Sequence, residues 1–180
     1  MAKKRTRQED HESLEKQVAI TTAIISVFLA LATILGNTAG GNSSSYLVKA
    51  NDQWSYYQAK SVKQNLYEVS KNMLLVDLNN TANSPQYDAA IQSRIADFDA
   101  KVAKYAKEQQ DIQKQAQDYE ALSDKEGNKS DVYNYAQGFY QIAIILAAIA
   151  LLAKKRYMWF LSVTLGIIGV GFTAYAYLLL

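Results

Sequence analysis

The chain is 180 residues long, 49% apolar and 20% charged, and 19 Lys and Arg against 17 Asp and Glu leave a net charge of +2. Basic residues are interleaved with acidic ones, so there is no basic face for nucleic acid. With no Cys and with His11 as the single histidine, a disulfide framework, a thiolate or histidine zinc site and a histidine-based triad are excluded.

The apolar residues lie in three blocks with the charges between them, the pattern of an all-α membrane protein with a polar insert. Residues 1–17 form a solvated tail, with Lys3, Lys4, Arg5, Arg7 and Lys16 set against Glu9, Asp10, Glu12 and Glu15. From Val18 to Gly36 there is no charge, a run close to the ~20 residues needed to cross ~30 Å of hydrocarbon, so residues 18–36 read as transmembrane helix 1. The run is longer than the core of a secretory signal and is expected to remain as an anchor. Ala19, Ala23, Ser26, Ala30 and Thr33 align small side chains along one face, which makes Ala23, Ser26 and Ala30 candidate helix-packing positions.

Residues 37–45 are rich in Gly, Asn and Ser and read as a linker. Residues 46–123 then read as a long antiparallel helical hairpin, coiled-coil-like, inserted between the first and second spans, with its turn at 79–85. Ser84 is placed to cap the second arm and Pro85 suits its first turn. On the first arm Ala59, Val62, Leu66, Val69, Met73 and Val76 fall at steps of three and four. On the second, Ile91, Ile95, Phe98, Val102, Tyr105, Gln109, Ile112, Ala116 and Tyr119 hold the same heptad spacing. The two stripes are expected to close on each other, leaving Tyr67, Leu74, Leu75 and Leu78 for further helices to cover.

Leu47, Ala50, Trp54, Tyr57 and Ser61 make their own three-and-four series, out of phase with the stripe from Ala59, so the contact face is expected to turn there. Trp54 and Tyr57 would pack on a neighbouring helix or lie at the lipid headgroups. In the alternative reading Asp52, Trp54, Tyr56, Tyr57 and Lys60 form a candidate interaction surface for a protein partner.

Residues 124–134 read as a charged loop, 135–153 as transmembrane helix 2, 154–156 as a basic loop and 157–180 as transmembrane helix 3. Small residues recur on both spans, at Ala136, Ala143, Ala147 and Ala150 around Tyr140, and at Ser162, Gly166, Gly169, Thr173 and Ala176. Ala147, Gly166 and Gly169 join the candidate packing positions. The tail and Lys154-Lys155-Arg156 hold the basic residues that flank the spans. The positive-inside rule puts both in the cytoplasm and the hairpin outside it, in the periplasm of a Gram-negative host.

The chain resembles the uncharacterised bacterial membrane family of domain of unknown function 4337. The resemblance rests on Glu15-Lys16-Gln17-Val18-Ala19-Ile20-Thr21-Thr22-Ala23, on Asn51-Asp52-Gln53-Trp54-Ser55-Tyr56-Tyr57-Gln58-Ala59-Lys60-Ser61, on Phe139-Tyr140-Gln141-Ile142-Ala143-Ile144, and on the basic loop with Trp159. Ser55 and Val62 stand where the family pattern has Ala and Ile. The resemblance implies a multi-pass bacterial inner-membrane protein with three spans, and it supplies no activity, cofactor or catalytic residues.

No Asp, Glu, Lys, Arg or His lies within a span, so a proton-relay or ion-coupled transporter is not expected. No nucleophile stands at a recognisable spacing from a base, so neither an enzyme, a cofactor nor a small-molecule substrate is expected. The expected function is that of a non-catalytic, membrane-anchored structural or interaction protein, either a homo-oligomer or an accessory subunit beside a partner membrane protein. The alternative is an oligomeric channel or pore lined by Gln141, Thr164 or Thr173.

Overall fold

The structure, a computed structural model, describes the backbone of residues 2–79 and 84–179 and the side chains of residues 12–79 and 84–178. Among these residues all regular structure is α-helical: α1 (Ala2–Leu78), α2 (Pro85–Ala153) and α3 (Arg156–Leu179). Each helix contains a stretch long and apolar enough to cross a membrane. Met1–Ser44 with Ser123–Leu180 form one compact unit, called here the spanning unit, and Ser45–Leu122 form a second, the paired unit.

The linker expected over 37–45 and the loop expected over 124–134 are both helical. Gly, Ser and Asn are weak helix formers, at up to about 1 kcal/mol per Gly relative to Ala, so local propensity argues for a break at both places. Packing within the spanning unit overrides it. Gly36 and Gly40, one turn apart on α1, lie against α2 so closely that an added Cβ would sit 3.0 Å from Tyr133 Cβ and 3.1 Å from Ser130 Oγ, respectively. Gly127 approaches Ser43 in the same way, at 3.3 Å. Serines bond across the seam: Ser130 Oγ donates to the Gly36 carbonyl at 3.1 Å, and Ser123 Oγ to the Ser43 carbonyl at 2.9 Å. Residues that resemble a linker by composition thus make a small-residue helix contact.

Further along the spanning unit, Ile25, Ala32, Ala136, Tyr140 and Ala143 form a buried cluster, flanked by Phe28, Leu29, Ile144, Leu165 and Phe172. Tyr140 is fully buried, and the missing side chain of Gly169 makes its room, since a Cβ there would stand 2.7 Å from Tyr140 Cε1. Thr173 donates its hydroxyl to the Gly169 carbonyl at 3.0 Å, so the Tyr140 hydroxyl, 3.1 Å away, donates to Thr173 Oγ1. Ser162, also fully buried, donates to the Ala143 carbonyl at 2.7 Å. A second cluster joins Leu14, Val18, Ala147 and Ala150 with Met158 and Trp159. There Trp159 Nε1 donates to Thr21 Oγ1 at 3.1 Å, and Thr21 donates in turn to the Gln17 carbonyl at 2.7 Å.

Two short connections complete the chain. At the start of α2, Ser84 caps the helix, accepting from Tyr87 N at its Oγ (3.3 Å) and from Asp88 N at its carbonyl (3.1 Å). Residues 80–83 of the expected turn over 79–85 lie outside the described residues. Between α2 and α3, Lys154 adopts the left-handed conformation at φ 53. Its amide reaches the Leu151 carbonyl at 3.3 Å, and the Lys155 amide reaches back to the Ala150 carbonyl at 3.2 Å. This is the Schellman arrangement for ending a helix, with a lysine in the position that glycine ordinarily fills.

Two substitutions test this packing, both read by thermal unfolding of the full chain in detergent. Gly169→Ala, which drives a methyl into the Tyr140 ring, is expected to destabilise by about 1–3 kcal/mol. Lys154→Gly, which removes a side chain from a left-handed residue, is expected to stabilise by about 1 kcal/mol.

Candidate interaction surface

In the paired unit, contacts join ascending residues of α1 to descending residues of α2. Tyr46 stacks on Tyr119 at 6.4 Å, and Trp54 Nε1 donates to Glu120 Oε1 at 2.7 Å. Lys60 meets Glu108 at 2.6 Å, Gln109 donates to Gln64, and Lys71 meets Asp99 at 2.8 Å. Tyr67 lies between Phe98 and Tyr105, with ring centroids 5.5 and 5.8 Å away.

The α2 stripe, Ile91 to Tyr119, is buried or half-buried along its length. The α1 stripe is not. Val62, Leu66, Val69, Met73 and Val76 are between 51% and 75% exposed, and Ala59 is exposed with them. What faces α2 instead is the series Ala50, Trp54, Tyr57 and Ser61, continued without a change of phase through Gln64, Tyr67, Lys71, Leu74 and Leu78. The expected turn of the contact face does not occur. Of the residues expected to lack cover, Tyr67, Leu74 and Leu78 are half-buried against α2, and only Leu75 stays exposed.

Chemistry on α2 explains the choice. Its stripe carries Phe98, Tyr105, Gln109 and Tyr119, which a Val, Leu and Met row could cover but could not bond. The opposing series supplies a ring for the aromatic pair, worth about 0.5–1.5 kcal/mol per aromatic contact, and an amide for Gln109. Cations add to it. Lys60 Nζ lies 5.3 Å from the Tyr105 centroid, Lys101 Nζ 5.0 Å from that of Tyr67, and Lys49 Nζ 5.3 Å from that of Tyr46.

Asp52, Trp54, Tyr56, Tyr57 and Lys60 do not share one free surface. Asp52 and Tyr56 are exposed, whereas Trp54, Tyr57 and Lys60 are half-buried toward α2. Tyr57 meets Trp54 edge-on at 5.7 Å. Lys60 is held above its ordinary value by its hydrogen bond to Glu108, then by Tyr56, and the same Lys60 contact holds the Glu108 carboxyl below its ordinary value. Along α2 itself, Lys101 bonds Asp97 at 2.8 Å and Lys104 lies 3.8 Å from Glu108.

In the spanning unit, Ala147, Gly166 and Gly169 are buried between helices, and Ala23, Ser26 and Ala30 lie on the exposed side of α1. Gln141 and Thr164 are exposed, while Thr173 is engaged by Tyr140. Among the described residues there is no group of three or more His, Cys, Asp or Glu that could hold a metal. Sequence reading missed the Gly36, Gly40, Gly127 and Ser130 contact, which the one-turn spacing of Gly36 and Gly40 signals.

Against known proteins, the family described as a domain of unknown function, DUF4337, matches residues 14–179. No curated protein and no solved structure matches the chain.

The Lys60–Glu108 contact has a defined pH signature. A carboxyl lowered from 4.5 stabilises the fold above that value and loses the contribution as pH falls through its depressed value. A lysine raised from 10.5 keeps its contribution below 10.5 and loses it only as pH climbs past the raised value. Thermal melting of the full chain is expected to drop more steeply below pH 4.5 for the natural chain than for Glu108→Gln.

Proposed function

The chain belongs to the DUF4337 family, whose function is unknown, and from that premise we propose that it is a non-catalytic, membrane-anchored structural protein that associates with further copies of itself. The observation that carries this reading is the uncovered row from Val62 to Val76, large apolar side chains three and four residues apart on one helix face. Exposed rows of this kind mark protein contact surfaces. The three-and-four spacing is that of a coiled-coil seam, so the natural cover is another helix with the same spacing. Gln58, Asn65 and Asn72 flank the row on one side and Lys63 lies on the other, so two copies would meet with little like-charge repulsion.

In this reading the tail and Lys154-Lys155-Arg156 lie in the cytoplasm of a bacterium, three helices cross the inner membrane, and residues 46–123 form a hairpin outside it. Self-association would then involve copies with the same orientation in one membrane.

Leu66→Asn and Met73→Asn test the row directly. Both residues are exposed, so helix content and melting temperature are expected to change little. Sedimentation of the full chain in detergent is expected to show self-association weakened about tenfold by each change. A natural chain that sediments at the mass of one 20.1 kDa copy at every concentration overturns the reading.

A further inference from the structure

Within the spanning unit α1 and α3 leave an apolar groove of about 270 Å³, with Thr21 and Trp159 at one end and Phe28 and Val170 toward the other. At Gly166 its wall is in close contact, since an added Cβ there would press to 3.1 Å on Ile25 Cδ1. Thr21 pairs with Trp159 and Ile25 with Gly166, so the two helices run in the same direction along the groove. From Trp159 to Val170 the groove is roughly 16 Å long at ~1.5 Å per residue. That is about half the ~30 Å hydrocarbon thickness, the depth of one leaflet.

The polar atoms on its wall are already committed. The Thr21 hydroxyl donates to the Gln17 carbonyl and accepts from Trp159, and the Tyr140 hydroxyl donates to Thr173. An occupant of the groove therefore meets only apolar surface, which suits an acyl chain and no polar ligand.

At the Trp159 end the chemistry changes. Arg156, one turn before Trp159, donates to Gln17 Oε1 at 3.3 Å, and Gln17 stands one turn before Thr21, so the guanidinium is fixed beside the groove mouth. Lys154 and Lys155 precede it, both exposed, and Lys154 keeps its charge at a left-handed position where glycine would cost less. Basic groups at the end of a one-leaflet apolar groove match an anionic headgroup above its own acyl chain. We propose that the α1–α3 groove binds an anionic phospholipid from the leaflet on the Lys154–Arg156 side, with one acyl chain along Ile25, Phe28 and Gly166 and the phosphate at Lys154, Lys155 and Arg156. This site does not depend on self-association.

The unaltered full chain, released from micelles holding equal amounts of phosphatidylglycerol and phosphatidylcholine, is expected to carry phosphatidylglycerol in native mass spectra in preference by about fivefold, the effect of one basic group at an anionic surface. Equal retention of the two lipids overturns the proposal. The second measurement uses Trp159 as its own reporter, made the single tryptophan by Trp54→Phe, with helix content checked by circular dichroism. In vesicles, brominated phosphatidylglycerol is expected to quench it at lower mole fraction than brominated phosphatidylcholine. Lys154→Gln with Lys155→Gln is expected to remove that difference, and Val163→Phe, which fills the groove, to weaken quenching by both lipids. A difference that survives both changes places the lipid elsewhere and overturns the site.

Discussion

Because α1 is unbroken from Ala2 to Leu78, the side of the helix on which each residue lies follows by counting from any one of them. Once Ala50, Trp54 and Tyr57 face α2, the direction of every later residue in the paired unit is decided. Tyr67 arrives between Phe98 and Tyr105, Gln64 reaches Gln109 and Lys71 reaches Asp99. The same count carries Val62 to Val76 to the other side. A single helix cannot turn both rows inward, and a mixed polar and aromatic partner selects the mixed row. The exposed apolar row is what remains.

The spanning unit is organised by a different constraint. In hydrocarbon every buried polar group needs a partner within the protein, because no water is present to supply one. Tyr140, Thr173 and the Gly169 carbonyl form one such chain, Ser162 and the Ala143 carbonyl another, and Trp159, Thr21 and the Gln17 carbonyl a third. Association there gains nothing from the hydrophobic effect, since lipid tails are as apolar as the helices, so contact depends on close approach. Gly36, Gly40, Gly166 and Gly169 supply it by leaving out side chains where a neighbour needs the space.

The two surfaces left over suit two different occupants. The row on the paired unit is a helix face with helix spacing and suits another helix. The α1–α3 groove is narrow, closed to polar ligands by its own hydrogen bonds, and capped by cations, and it suits a lipid.

An all-α chain with three membrane-length apolar stretches is readable from the sequence alone, because charge-free runs and heptad spacing report directly on the solvent and the helix period. So are Ser84 and Pro85 at the start of α2, whose chemistry is local. The course of α1 through residues 37–45 is not, since Gly, Asn and Ser look the same whether they form a linker or admit a neighbouring helix. The left-handed Lys154 is hidden for a similar reason: a lysine announces charge and says nothing of φ. Nor is the face of α1 that meets α2 readable, because two rows with the same three-and-four spacing compete and the more apolar one is the obvious choice. Only the tertiary structure decides between them, through rings, amides and ion pairs on α2 that lie many residues away in the chain.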